Sequence, residues 1–231
     1  QAALAVYFAQ HQVPVLPGLG DQYFNIPLAP LNEALQSVRT LGYPLFHAAM
    51  AQAGLGLDSY PGVQMVLLTF CTGIFAVGLR IYGLTGMTAL VAASPLLWVV
   101  PAELVMPETP AKCFSVAAIG FLLWAAGSRS RVAYLGLAFS SFLAYQMRPS
   151  FLFLLVFLPL CWLFLYGRRW GMLDPRRWFK NGLYTVSACF VPLLLFCLLR
   201  LVVVGHFGLV SFGGQNTIGI SIEMLTPQTV H

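Results

Sequence analysis

A chain of 231 residues in which 59% of the side chains are hydrophobic, 8% are charged and the mean hydropathy is +0.81 cannot close as one water-soluble globule. The composition places it in a bilayer. The net charge of +5 is then a topology signal rather than a nucleic-acid footprint, because the basic residues flank apolar runs.

Residues 1–9 form an apolar stretch too short to span, with no initiating Met, so the chain is expected to be a piece of a longer protein with an incomplete first helix. Roughly 50 residues then precede the first full span, too many for a plain connector. Within them, 29–38 reads as a short amphipathic helix, with Leu31 and Leu35 at i and i+4 beside Asn32 and Glu33. Residues 43–53 read as a second helix that opens on Pro44, a favourable first-turn residue. Both are expected to lie in the membrane surface.

Six apolar runs follow, at 62–82, 84–101, 109–126, 132–146, 150–166 and 183–204. Most approach the ~20 residues that a helix needs to cross about 30 Å of hydrocarbon. The run at 132–146 is short, and either crosses or forms a re-entrant hairpin with 150–166. The expected class is an all-α membrane protein, a multispanning helical bundle with interfacial helices in its first exoplasmic loop. It divides into 1–61 (end of an incomplete helix plus that loop), 62–204 (the bundle) and 205–231 (an exoplasmic tail expected to be truncated).

Basic residues orient such a bundle, because short loops rich in Lys and Arg stay cytoplasmic. Threaded through the runs, eight of the twelve fall on one face: Arg80, Arg129, Arg131, Arg168, Arg169, Arg176, Arg177 and Lys180. The other face receives Arg39, Lys112, Arg148 and Arg200 together with six of the seven acids, and only Asp174 joins the basic side. The stretch from Gly167 to Lys180 mixes cations with aromatics, as a segment on an anionic leaflet would. Cys71, Cys113, Cys161, Cys189 and Cys197 form no CxxC pair and read as buried thiols. The four histidines are scattered and there is no phosphate-binding glycine loop. Trp124, Trp162 and Trp170 lie near helix ends and are expected in an interfacial belt.

The acid-bearing face is the place to look for chemistry. Its ordered pieces are Asp21-Gln22-Tyr23, a short helix, Arg39-Thr40-Leu41-Gly42-Tyr43-Pro44-Leu45-Phe46, then Pro107-Glu108 at a helix start and Arg148-Pro149 at a tight turn. In that order they resemble the GT-C superfamily of polytopic glycosyltransferases, including the dolichyl- and polyprenyl-phosphate-mannose mannosyltransferases, over the N-terminal portion of the family architecture. Leu41 stands where family members usually have Pro, and Glu108 where Asp is common. The resemblance implies transfer of a sugar from a polyprenyl-phosphate donor to an acceptor on the exoplasmic or periplasmic side, with the bacterial inner membrane favoured over the endoplasmic reticulum. It implies membrane lipids and the lipid-linked donor as partners, with no nucleic acid. The alternative is a non-catalytic structural or assembly subunit of a larger membrane complex that keeps the scaffold.

Such a transfer needs a group to take the acceptor's proton and a cation for the departing phosphate. Asp21 is the candidate general base, or alternatively a turn cap. Glu108 is the second carboxylate, and its helix-start position equally suits a dipole-stabilised cap. A divalent metal ion, if used, would draw on Asp21, Glu103 and Glu108. Arg39, Arg148 and Arg200 are the candidate phosphate ligands, since a guanidinium offers bidentate contacts. For Arg200, which lies inside the last run, snorkelling to the interface is the competing expectation. Tyr23, Gly42, Tyr43 and Pro44 complete the loop motif.

Overall fold

The computed structural model describes residues 28–36, 40–93, 107–170 and 175–209, and among these every regular element is a helix. Two short helices, α1 (Leu31–Gln36) and α2 (Gly42–Gln52), precede α3 (Tyr60–Tyr82), α4 (Thr85–Ala93), α5 (Glu108–Ser128), α6 (Arg131–Met147), α7 (Leu154–Trp170) and α8 (Pro175–Val204). Short 3-10 turns, Leu57–Ser59 and Pro149–Phe153, lead into α3 and α7. Tyr60–Tyr82, Glu108–Ser128, Pro149–Arg169 and Pro175–Val204 are long and apolar enough to cross a membrane. By length and composition this is an integral membrane protein.

The spans stop where the sequence punctuates them. Gly83, at φ 100°, closes α3 in the left-handed region, its N–H reaching the carbonyls of Leu79 and Arg80. Arg129, at φ 57°, closes α5 in the same way. The last span begins earlier than expected: helix α8 runs back to Pro175, so Arg176, Arg177 and Lys180 ride on its first turns rather than in a loop. At about 1.5 Å per residue, its 30 residues outreach a hydrocarbon core of about 30 Å.

Helix α5 sits at the centre, packed on α3, α6 and α7, with Ala111, Ala118, Ala125 and Ala126 fully buried along it. Its closest neighbour is α3. A Cβ on Gly78 would lie 2.1 Å from the Gly120 carbonyl oxygen, so the two backbones meet with no side chain between them. Lipid tails are as apolar as leucine, so small residues that allow such approach, rather than hydrophobicity, hold membrane helices together.

These contacts set directions. Gly120 lies against Phe75 and Gly127 against Ile81, so α3 and α5 run parallel. The chain therefore leaves α3 at one end of the bundle and starts α5 at the other, and α4 is the described part of that return. Helix α6 runs antiparallel to α5, its start beside the end of α5 and its end beside Glu108. Helix α7 goes back again, and the Tyr82 hydroxyl donates to the Leu165 carbonyl at 2.8 Å. Residues 132–146 lie within α6, which runs beside α5 from the Arg129 end to Glu108. One end gathers Arg80, Arg129, Arg131, Arg168, Arg169, Arg176, Arg177 and Lys180, and we call it the basic end. Glu33, Asp58 and Glu108, the described acids, lie at the opposite Glu108 end.

Two expectations about facing are corrected. Trp162 is not in an interfacial belt: it is fully buried, stacked on Tyr166 with ring centroids 4.6 Å apart and flanked by Trp178. In α1, Leu35 and Ala34 are buried but Leu31 is 51% exposed, so the apolar pair does not face one way. The thiols behave as expected: all five are free, four are buried and Cys161 is partly so. Phe70, Leu135, Phe139, Phe164 and Val202 point outward, a surface suited to lipid.

Candidate functional site

The Glu108 end is assembled from a helix start, a helix end and a surface helix. Glu108 occupies the first turn of α5, where the helix dipole favours a carboxylate. Arg148 follows the last residue of α6 and has an extended backbone, φ −150° and ψ 120°, as the residue before Pro149 must. Its N–H still bonds the Ala144 carbonyl at 3.2 Å. Across forty residues of chain its Nη1 donates to Glu108 Oε1 in an ion pair that clasps the open end of the α5–α6 hairpin. The pair is accessible, with side chains 39% and 27% exposed for Arg148 and Glu108.

Helix α2 is seated on this clasp. A Cβ on Gly42 would fall 2.5 Å from the backbone carbon and oxygen of Gln146, so no larger residue lets α2 reach the end of α6. Tyr43 is buried against Ala111 and Met147, with Phe46, Phe114 and Phe151 around them. Pro44 is buried in the first turn of α2, where a missing N–H costs nothing. The loop motif residues Gly42, Tyr43 and Pro44 therefore dock the surface helix onto the bundle. The middle of α2 is held by His47, whose Nδ1 hydrogen bonds the Tyr60 hydroxyl at the start of α3, while Phe46 packs edge-on against the Tyr60 ring. Burial lowers the His47 pKa from its usual 6.5.

The junction is polar and incompletely satisfied. Glu108 Oε2, Thr40 Oγ1 and Gln146 Nε2 are buried and have no hydrogen-bond partner among the described residues. Buried polar atoms without partners are rare in native proteins and ask for an explanation. Thr40 entered the sequence reading only as a member of the Arg39–Phe46 motif, and Gln146 was not singled out. The available signal was Gln146, an amide at the end of an otherwise apolar run, immediately before Met147 and Arg148.

Arg200 lies at the same end but is engaged differently. It is 1% exposed, and its Nε donates to the Leu35 carbonyl at 3.2 Å and its Nη1 to the Gly208 carbonyl at 2.7 Å. Beside it, the Tyr145 hydroxyl donates to the Leu209 carbonyl at 2.9 Å. Arg200 thus ties α1 and the segment after α8 to the bundle, and does not snorkel into solvent. Asp21, Tyr23, Arg39 and Glu103 lie outside the described residues. Among the described residues no three His, Cys, Asp or Glu side chains come together as a metal site. Compared with known proteins, the chain matches no family model, no curated protein and no solved structure.

Proposed function

We infer that the chain is a membrane glycosyltransferase that moves a sugar from a polyprenyl-phosphate donor to an acceptor at the Glu108 end, which the basic residues orient away from the cytoplasm. The observation that carries this reading is the junction of Glu108, Arg148 and the Gly42-Tyr43-Pro44 helix, where an accessible guanidinium sits beside buried polar atoms that lack partners. In the reaction, the bond from the anomeric carbon to the phosphate oxygen breaks and a bond to an acceptor hydroxyl or amine forms. The acceptor's proton passes to a carboxylate, for which Asp21 is the candidate base. Arg148 has five N–H donors, and those not facing Glu108 are available to the departing polyprenyl phosphate. Glu108 holds that guanidinium in place and offers Oε2 to the acceptor. A metal ion and a ligand role for Arg39 and Arg200 belong to the same proposal.

A second reading, a non-catalytic subunit of a membrane complex, is favoured by one observation: Arg200 is committed to the protein's own carbonyls. Donor turnover separates the two. Purified chain in proteoliposomes, given a panel of polyprenyl-phosphate hexoses with water as acceptor, releases free sugar if the first reading holds. Asp21→Asn and Glu108→Gln then slow release by about 100-fold or more, the usual scale of general-base and charge-stabilising groups. Release that survives both substitutions unchanged removes the assigned roles, and a chain that neither binds nor consumes any donor is the scaffold of the second reading.

A further inference from the structure

Small side chains recur every seven residues where α3 and α5 meet. On α5 they are Cys113, Gly120 and Gly127, and on α3 they are Cys71 and Gly78. The glycines fix the register, because a Cβ on Gly78 would run into the Gly120 carbonyl and one on Gly127 would lie 2.8 Å from the Ile81 carbonyl oxygen. Seven residues make about two turns, so parallel helices that touch at one such layer come together again at the next. Cys71 and Cys113 stand seven residues before Gly78 and Gly120, and therefore share the next layer toward the Glu108 end.

Both thiols are 1% exposed, belong to one buried cluster with Met65, Leu68 and Ala117, and lie within electrostatic reach of one another. A disulfide needs Cα atoms about 4.4 to 6.8 Å apart. Helices in backbone contact at Gly78 and Gly120, crossing at the ~20° usual for heptad-spaced contacts, separate by only about 4 Å over two turns, which keeps Cys71 and Cys113 in that range. The other cysteines are not matched in this way. Cys161 of α7 and Cys189 of α8 share the larger cluster, but Trp162 meets Gly182, so on these antiparallel helices the two are offset by about 9 Å along the axis.

We propose that Cys71 and Cys113 are a reversible dithiol–disulfide pair that latches α3 to α5 at the Glu108 end. The oxidant is an external disulfide. One cysteine thiolate attacks it, forming a mixed disulfide and releasing one thiol; the second cysteine thiolate attacks the cysteine sulfur of that mixed disulfide, forming the internal S–S bond and expelling the second thiol. Two electrons pass from the cysteines to the external disulfide, and the two cysteine protons leave with the released thiols. Because both sulfurs are buried, exchange waits for a local opening, and the bond once made is shielded from reductant. The basic residues orient this end away from the cytoplasm, the side on which disulfides persist. The latch acts on the seat of α2, since Tyr43 packs on Ala111 of α5 while His47 hydrogen bonds Tyr60 of α3. Joining α3 to α5 fixes these two supports relative to each other, and does so whether or not the chain transfers sugars.

The test exposes the full chain in detergent micelles to dipyridyl disulfide, then maps its peptides by mass spectrometry without reduction. The peptides of Cys71 and Cys113 are expected joined, and separated again by a phosphine reductant. The joined chain melts roughly 5 to 10 °C higher, the usual scale for a disulfide in a chain of this size, and amide exchange in α2 slows. Cys161→Ala, Cys189→Ala and Cys197→Ala combined leave the cross-link in place, whereas Cys71→Ala alone abolishes both the cross-link and the rise in melting temperature. The peptide map of the unsubstituted chain decides the pairing even if a variant fails to fold. Pyridyl adducts on both thiols without a cross-link, a link from either thiol to another cysteine instead, or thiols that stay reduced in the folded chain while the urea-unfolded chain oxidises would overturn the pairing. A Cys71–Cys113 link that changes neither melting nor exchange in α2 would overturn its role as a latch.

Discussion

The two ends of this bundle treat charge in opposite ways. At the Glu108 end the protein answers its own cations: Arg148 pairs with Glu108, and the buried Arg200 donates to the carbonyls of Leu35 and Gly208. At the basic end Arg129, Arg131, Arg177 and Lys180 line one cavity together with Asn181, Tyr134 and Tyr184. The difference follows from what each end must do. A buried guanidinium that lost its partners would cost several kcal/mol, so the tie at Arg200 must be made inside the chain. Cations at an interface are screened by water, so like charges can stand near one another there at little cost. At one end a buried cation has to be satisfied inside the chain, and at the other water shares that task.

Substitutions can break this contrast, and the largest effect belongs to the seat of α2. Gly42→Val drives a side chain into the Gln146 backbone and should destabilise the Glu108 end by about 3 kcal/mol or more, read as a lower midpoint of thermal unfolding in detergent. Gly167→Ala at the basic end, where an added Cβ meets nothing within 4 Å, should instead be neutral or slightly stabilising. Next comes Arg200→Met, which removes two charge-assisted bonds and should cost about 2 kcal/mol, with faster proteolysis around α1 as a second readout. Unchanged protection of α1 would show that its docking on α8 does not depend on Arg200.

The Glu108–Arg148 clasp is half accessible, so its stability effect should be smaller, about 1 kcal/mol in a double-mutant cycle of Glu108→Gln and Arg148→Gln. Zero coupling would mean that the pair does not hold the hairpin end. The smallest effect concerns pH. Burial lowers the His47 pKa, so the unfolded chain binds more protons near that range and the folded state loses stability as the pH falls from about 6.5 toward the lowered value. Anchoring of α2, followed by hydrogen exchange, should therefore loosen on acidification, and His47→Phe should flatten that dependence.

Much of this was legible along the chain because membrane spans are contiguous apolar lengths. The runs expected at 62–82 and 109–126 match Tyr60–Tyr82 and Glu108–Ser128 to within two residues at each end. Alternation of the spans also put Gly42, Tyr43, Glu108 and Arg148 on one side of the bilayer, and these four do meet at one junction. Their meeting depended on something the sequence did not state, that α6 is long enough to end beside the start of α5. Arg177, Lys180, Asn181 and Tyr184 were equally present in the sequence, but that they share a cavity with Arg131 and Tyr134 of α6 became visible only when the two helices lay side by side.

By itself the sequence determined that this is a multispanning helical protein, where its helices break, and which charges share a side, because bilayer thickness and the cost of burying charge act on local composition. The tertiary structure alone decided that Trp162 faces inward while Leu31 faces outward, that Arg200 is a buried tie, and that cations of α6 and α8 share a cavity. The reason is that lipid and protein core are both apolar, so within a membrane hydrophobicity no longer marks the inner face of a helix. Close packing of residues such as Gly78 and Gly120 does, and that is a property of pairs of helices rather than of either one.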